Sequence, residues 1–449
     1  VLLRRRSGAM AYEIRFTETY GEADRGRYIR LGFEVPDNID RIEIEYDYPR
    51  YGEFPRADGT EKVQLNAVDL GLVDGEGKFR GWSGSERRSA AVSAYEATPG
   101  YRIGPIMKGS WSVSLGLYRI SEKVRVDVRV RLVPKERVLL AGDMHMHTNN
   151  SDGAYATAAV IDRCRAAGLD FIALTDHNNT RQNTEIGRAD GIVVIPGMEF
   201  TNYRGHANFY FSGDTVDFAG DPLSNTREEM ASAFAEARKS GAVISLNHIA
   251  CDDCPWEFGF EDLSYDLMEV WNGPMKPAEI RAVAIWHAAL AGGKRIAAVG
   301  GSDMHRDEPH RMYGSPTTFV YAESRSRRDI LAGILAGRSF LSESKSGPRP
   351  ELRIGNAGLG DTVRLSPGGG HEVEVLVASV RPGDIVRVLD GSGESRKPHV
   401  TQEWAVDFSG DFKAAFPAKR VGFYRAEIWR ELLPGVPLLV ALCNPIFIG

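Results

Sequence analysis

Between Tyr12 and Pro134 the chain alternates polar and apolar residues in short runs broken by turn residues, as in "RIEIEYDY" (41–48), "WSVSLGLYRI" (111–120) and "VRVDVRVRLV" (124–133). Successive side chains on a strand point to opposite faces, so this period of two predicts half-buried antiparallel strands and a sandwich-like β domain. After Val138 the rhythm changes. The segments "YATAAVIDRCRAAG" (155–168), "TREEMASAFAEARKSG" (226–241), "PAEIRAVAIWHAALAGG" (277–293) and "SRRDILAGILAG" (326–337) have helical character, and most end in the glycine expected of a helix stop. Between them fall apolar runs at 138–141, 171–174, 192–195, 207–211, 242–246, 267–271 and 296–300. Strand and helix in alternation predict an α/β fold with a largely parallel sheet, open or closed. From Pro350 onward, "HEVEVLVASV", "DIVRVLD" and "FYRAEIWREL" return to period two. The expected organisation is an N-terminal β-sandwich-like domain at 10–136, an α/β domain at 137–345 and a C-terminal β-sandwich-like domain at 346–449, with residues 1–9 left outside the fold.

The polar residues of the middle segment are not scattered. Asp143, His145 and His147 follow the first apolar run, Asp176 and His177 the second, and Glu199 the third. Asn247 and His248 follow 242–246, Asn272 follows 267–271, and Asp303 and His305 follow 296–300. His206 is expected in a loop that Glu199 opens, just before "ANFYF". Ligand-type residues thus collect at the C-terminal ends of strands, where parallel α/β proteins place their active sites. His145 and His147, two apart, present their imidazoles on one side. Of ten histidines, seven (His145, His147, His177, His206, His248, His305, His310) lie near these ends, whereas His287 sits inside a helix and reads as a structural residue. Six imidazoles with Asp152, Glu199 and Asp303 exceed what one tetrahedral zinc takes, so two or three divalent metal ions are expected. Mixed nitrogen and carboxylate donors suit zinc, manganese or iron.

Bulk properties narrow the partners. The formal net charge is −6 and no block of like charge stands out beyond Arg4-Arg5-Arg6, so neither nucleic acid nor an anionic membrane surface is the expected partner. No window approaches a membrane span, and four cysteines in 449 residues make no disulfide framework, so a cytoplasmic protein is expected. Cys251 and Cys254 form a CxxC, but without a second pair or a thioredoxin-like context they read as loop residues. There is no GxSxG elbow, no P-loop and no GxGxxG between strand and helix.

Taken in order, "GDMHMHTNNSDG" (142–153), "LTDHN" (174–178), "PGMEF" (196–200), "NH" (247–248) and "GSDMH" (301–305) resemble the motifs of the PHP (polymerase and histidinol phosphatase) domain. "MEVWNGP", "LAGGKRIAAVGGSDMH" and "RGWSGSERR" are similar to the CehA/McbA metallohydrolase branch. The resemblance implies a distorted (β/α)7 TIM-like barrel with a binuclear or trinuclear site at its C-terminal face. It implies that His145 and His147 bind one metal with Glu199 bridging, that Asp152, His177 and His305 bind another, and that Asp303 is shared. His206 and His248 complete a further site or contact substrate, and Asp176 steadies an imidazole from behind. The third motif departs from the usual Asn-His-Pro, reading "NHIACDDC" (247–254), which makes the loop after His248 a point to check.

Metals held this way lower the pKa of a shared water, so the expected reaction is hydrolysis by a metal-bridging hydroxide, with His206 or His248 as general acid. Arg306 is the candidate for holding a phosphoryl oxygen, and Asn272 a second candidate substrate contact. A phosphoesterase acting on a small phosphomonoester or phosphodiester leads. A carboxylic or carbamate ester hydrolase is the alternative, and a noncatalytic scaffold with ligand-binding β domains is the third reading. An arginine or lysine pointing at the metals favours phosphate, whereas a pocket lined by Trp256 and Trp271 favours an aryl ester. Trp82, Tyr101 and Trp111 are aromatic enough to line a groove in the N-terminal domain, although core packing is the commoner fate of such residues. Homo-oligomerisation is left open.

Overall fold

The computed structural model describes residues 12–57, 59–187, 189–213, 226–261, 263–366, 369–433 and 436–449. The chain divides into two compact units, Val1–Arg137 and Val138–Gly449.

The first unit is antiparallel throughout its described strands. One sheet has the order Tyr12–Tyr20, Val124–Pro134, Ile39–Asp47, Ser89–Ser93; the other has the order Tyr28–Val35, Gly109–Arg119, Ala67–Val73, Phe79–Ser83. The period-two runs explain the pairing of faces. Val124, Val126, Val128, Val130 and Leu132 are buried, and the arginines between them face outward. They meet Val68, Leu70, Leu72, Val113 and Leu115 in one core, each such side chain contributing about 1.5–3 kcal/mol by its removal from water. Trp111 and Tyr101 serve this core, whereas Trp82 packs against the exposed Tyr28 and Phe79. Trp111 is buried with Nε1 donating to Met107 O at 2.8 Å, the Tyr101 hydroxyl donates to Leu70 O at 2.8 Å, and Trp82 lies over Gly71 and Gly116, where any Cβ would meet its ring.

In the second unit the strands Val138–Asp143, Phe171–Leu174, Val193–Asn202, Gly205–Tyr210, Val243–Leu246, Leu267–Asn272 and Ala297–Gly301 are neighbours in chain order, and Thr317–Ala322 pairs with the first of them. Helices Thr157–Ala166, Arg227–Lys239, Pro277–Ala291 and Arg327–Leu335 lie within the expected helical segments. Their starts are set locally: Thr226 and Glu229 form a reciprocal capping box, Pro277 occupies the first turn, and Ser326 accepts from Asp329 N.

Two expectations need correction. The sheet is mixed rather than largely parallel, because only Tyr203 and Arg204 separate the 193–202 and 205–210 strands, and so short a connection forces a hairpin. The 205–210 strand is antiparallel to both neighbours, as is 317–322 to 138–143. The distorted (β/α)7 TIM-like barrel is not confirmed either. Among the described residues there are five α-helices, one of four residues, and no backbone ladder joins 297–301 to 317–322. Side chains span that seam instead. The Thr318 hydroxyl accepts from Gly300 N at 3.1 Å and donates to Gly300 O at 2.7 Å.

The sheet also continues beyond the middle segment. The Thr317–Ala322 strand pairs with Ser339–Ser342, which pairs with Val436–Cys443 and so leads into the C-terminal strands. Phe319 and Phe340 share one core with Val386, Val388, Ile428 and Val440. Asn444 fixes this join. Its Oδ1 accepts from Ala298 N at 2.7 Å, and its Nδ2 donates to Ala298 O at 3.0 Å and to Ser339 O at 3.1 Å. Asn444→Ala leaves the buried polar groups of Ala298 without these partners. We expect a loss of about 2–4 kcal/mol, read as a lower urea midpoint with an unchanged slope.

Candidate metal centre

The strand ends converge on one carboxylate. Glu199, on the 193–202 strand, is 1% exposed. Its Oε1 lies 3.4 Å from His145 Nε2, 3.2 Å from His206 Nδ1 and 3.3 Å from His248 Nε2; its Oε2 lies 3.5 Å from His147 Nε2 and 2.9 Å from His177 Nδ1. Asn247 Nδ2 donates to Oε1 at 2.9 Å. Asp303 Oδ1 stands 3.1 Å from His147 Nε2 and 3.4 Å from His145 Nε2. At the outer side Asp152 Oδ1 is 3.2 Å from His305 Nε2 and 3.5 Å from His177 Nε2.

Backbone geometry aims these side chains. Asp303 N donates to His145 O at 2.8 Å and His147 N to Met304 O at 3.0 Å, so the segments after the 138–143 and 297–301 strands run side by side. Gly301 permits this approach, since a Cβ there would lie 2.4 Å from His145 Cβ. Asp303 and His248 both have positive φ, +51° and +28°, which side-chain-bearing residues rarely adopt. His248 is kept there by its N–H donating to Glu269 Oε2 at 2.9 Å. Asp143, the first acid of the opening motif, is a brace: its carboxylate accepts from Ser302 N, Gly314 N and His145 N.

Burial alone would push the His145 imidazole towards neutrality, but the Glu269, Asp303 and Glu199 carboxylates outweigh it and hold its pKa well above the ordinary value. His177 is raised too, burial being outweighed by Glu199, and His248 is raised well above it, burial being outweighed by Cys254 and Glu199. For His147 burial prevails and the pKa falls. Glu199 and Asp303 are driven well below the usual carboxylate range, since His145 and the other imidazoles overcome the burial that opposes ionisation.

The donors fit divalent metal ions. Among the described residues, three nitrogen and oxygen groups have ligand atoms mutually within 4.8 Å: His147, Asp152, His177 and His305; His145, His147 and Asp303; Glu199, His206 and His248. His145 Nε2 and both ring nitrogens of His147 are buried without a hydrogen-bond partner, as expected of atoms aimed at a cation rather than at one another. All nine expected ligands are in this cluster.

Other expected residues are placed differently. His206 lies on the 205–210 strand opposite Thr201, not in a loop, because the 193–202 strand runs on past Glu199. Asp176 steadies no imidazole: its carboxylate accepts from Thr148 N at 2.9 Å, Thr148 Oγ1 at 3.0 Å and Ser151 Oγ at 2.8 Å, fixing the loop that carries Asp152. Asn272 is buried, with Nδ2 donating to Glu269 Oε2 at 3.1 Å, so it positions Glu269 rather than facing a substrate. Arg306 is exposed at the rim, its Nη2 3.4 Å from Asp152 O. His310 is exposed, and Asp252 pairs with Arg281 on the outside of its loop.

Two residues escaped sequence reasoning. Glu269 Oε1 lies 3.0 Å from His145 Nδ1, which turns Nε2 towards the cage. A lone acid inside the apolar run "LMEVW" was its available signal. Arg311 donates from Nη1 to Ser302 O at 2.6 Å and Asp303 O at 2.7 Å, and lies 3.6 Å from Asp303 Oδ2. No spacing rule singled it out.

Glu269→Gln should weaken zinc binding by about 10–100-fold, measured by equilibrium dialysis, because the amide no longer draws the proton to His145 Nδ1. Since the raised imidazoles must lose protons to act as ligands, zinc uptake should release protons and weaken as pH falls from about 8 to about 6. Calorimetry in two buffers of different ionisation enthalpy measures that release.

Residues 143–251 match the family model described as PHP domain. A 112-residue stretch is 32% identical to a 3′,5′-nucleoside bisphosphate phosphatase of Chromobacterium violaceum, covering 24% of this chain and 39% of that protein's length. The fold is similar to a two-domain protein of Bacteroides vulgatus containing a predicted PHP-like metal-dependent phosphoesterase, with 19% identity, TM-score 0.41, and coverage of 68% of this chain and 95% of the other. It is also similar to a Chromobacterium violaceum amidohydrolase with bound sulfate, with 17% identity, TM-score 0.29, and coverage of 38% and 89%. These matches do not bear on the CehA/McbA branch. The match begins at the first motif of the donor cage and identifies residues 143–251 as a PHP domain.

Proposed function

We propose that this protein is a metal-dependent phosphoesterase hydrolysing a small phosphomonoester or phosphodiester. The observation that carries the reading is a cage of nine nitrogen- and oxygen-donor residues, open at Asp152 and sealed at His145 and His147, whose ring nitrogens are orphaned. Divalent ions bound there would supply a nucleophile at neutral pH and neutralise charge developing on the substrate.

The protein's own groups do the rest. His145, His147 and Asp303 would hold one ion, and Asp152, His177 and His305 another, with Glu199 reaching both groups. Glu269 fixes the His145 tautomer, and Asp176 fixes the loop bearing Asp152. His206, with 16% of its side chain exposed against 9% for His248, is assigned to protonate the leaving group. Arg311 sets the Asp303 backbone, and Arg306 stands at the rim to receive an anionic substrate.

Phosphate is favoured over a neutral aryl ester by charge and by the tryptophans. Trp256 and Trp271 belong to the hydrophobic core, with their indole N–H groups donating to Gly259 O and Gly273 O. The bisphosphate phosphatase named above supports a nucleotide-like phosphomonoester as one substrate class to test. Four free cysteines support a reducing, cytoplasmic setting, and no helix among the described residues is long and apolar enough to cross a membrane.

Enzyme stripped of metal and reloaded with zinc or manganese should release p-nitrophenol from p-nitrophenyl phosphate or its bis-ester. It should leave 1-naphthyl N-methylcarbamate intact, and release from the carbamate alone would move the protein to carboxyl chemistry. Asp303→Asn should cut turnover by at least about a hundredfold with loss of bound metal. His310→Ala, at an exposed position, should change neither, and full activity in the Asp303 variant would refute the site.

A further inference from the structure

The cage is not the end of the ligand-bearing surface. His248 turns Nε2 towards Glu199, and its other ring nitrogen faces sulfur. Cys254 Sγ lies 3.6 Å from His248 Nδ1 and 3.2 Å from Cys251 Sγ. The three ligand atoms fall mutually within 4.8 Å, and both thiols are half-buried and free. A CxxC alone lacks ligands for a metal, but the fold supplies an imidazole three residues before it, giving H-x2-C-x2-C.

The loop holding this trio is built rather than loose. Cys251 N donates to His248 O at 2.9 Å, folding the chain back over the ring. Trp256 N donates to Ile249 O at 3.3 Å, closing the loop from its far side. From the 277–291 helix, Arg281 Nη2 donates to Ala250 O at 3.0 Å and pairs with Asp252. The ring itself is fixed by Glu199 at Nε2 and by Glu269 at its backbone N–H.

We propose that His248 Nδ1, Cys251 Sγ and Cys254 Sγ form a second cation site, distinct from the nitrogen and oxygen cage and specific for a thiophilic ion such as zinc or cadmium. Two thiolates and one imidazole select soft or borderline cations over magnesium or manganese, and three protein ligands leave a fourth position for solvent. The site shares one ring with the cage. A cation on Nδ1 leaves the ring's proton on Nε2, which then donates to Glu199 instead of serving as a ligand. Occupation of the sulfur site therefore withdraws His248 from the cage.

Cobalt(II) titration of the reduced protein tests this independently of any turnover, because only sulfur ligation gives a thiolate-to-cobalt charge-transfer band in the near ultraviolet. At saturation the band should correspond to one sulfur-ligated cobalt per protein, vanish on addition of cadmium, and be absent from the C251S/C254S protein, which should still bind cobalt in its cage. Absence of the band in the reduced, cobalt-saturated protein, or its persistence in the double variant, overturns the proposal. If the double variant does not fold, alkylation of the unaltered protein decides. Zinc, but not magnesium, should protect Cys251 and Cys254 from iodoacetamide in peptide mass spectra. Modification of both under saturating zinc, or a 251–254 disulfide that re-forms while zinc is present, overturns the site.

Discussion

A carboxylate sealed from water and touched by five imidazoles is the constraint around which the second unit is arranged. An ionised group that is 1% exposed is costly unless its charge is matched, and Glu199 is matched by side chains from four separate stretches of chain. Each partner arrives because a strand ends beside Glu199: His145 and His147 after 138–143, His177 after 171–174, and His248 after 243–246. His206 comes from the return arm of the hairpin that carries Glu199 itself. The site and the fold thus depend on the same residue, and neither is complete without the other.

Convergence of this kind is bought with backbone strain that neighbouring hydrogen bonds keep in place. Asn178, His248 and Asp303 all have positive φ, and each sits within one residue of, or is itself, a member of the cluster. Asn178 is clamped by exchanging bonds with Thr201 through both its side-chain atoms. Asp303 is tied by its N–H to His145 O, and Arg311 grips its carbonyl from outside. Removing a positioning residue such as Arg311 or Glu269 therefore releases a conformation rather than a single contact.

How much of this was legible in the sequence follows from which interactions are local. The four long helices and the apolar strands are legible because their periodicity and caps lie within a few residues of one another, and so is the gathering of histidines and carboxylates after strand ends. The hairpin at Tyr203 and Arg204 is not legible in the sequence: "EFTNYRGHANFYF" has no strong turn signature, and the pairing is decided by what flanks it. Asp176 was given an imidazole and holds Thr148 and Ser151 instead, a choice made by a loop 25 or more residues away. The side-chain bridging of the 297–301 and 317–322 strands and the passage of the sheet into the C-terminal strands involve Thr318 and Asn444. Their partners lie 18 and 146 residues away, beyond any periodicity.

Burial of a histidine does not by itself mark the site; the sign of the charge beside it does. His287 is as buried as His145, yet its nearest charged partner is Arg425, whose Nε donates to His287 Nδ1 at 3.1 Å. Burial and then that guanidinium push its pKa down to about 3, so it stays neutral and serves as an acceptor for an arginine that also pairs with Glu427. Around His145 the neighbours are carboxylates and the shift has the opposite direction. A cation bound in the cage would take the place of the protons that neighbouring carboxylates favour on His145 and His177. At His287 the positive charge is already covalently present in Arg425, leaving no place for another. The same residue type, equally hidden from water, is a candidate ligand in one place and a packing element in the other because of the charge its fold sets against it.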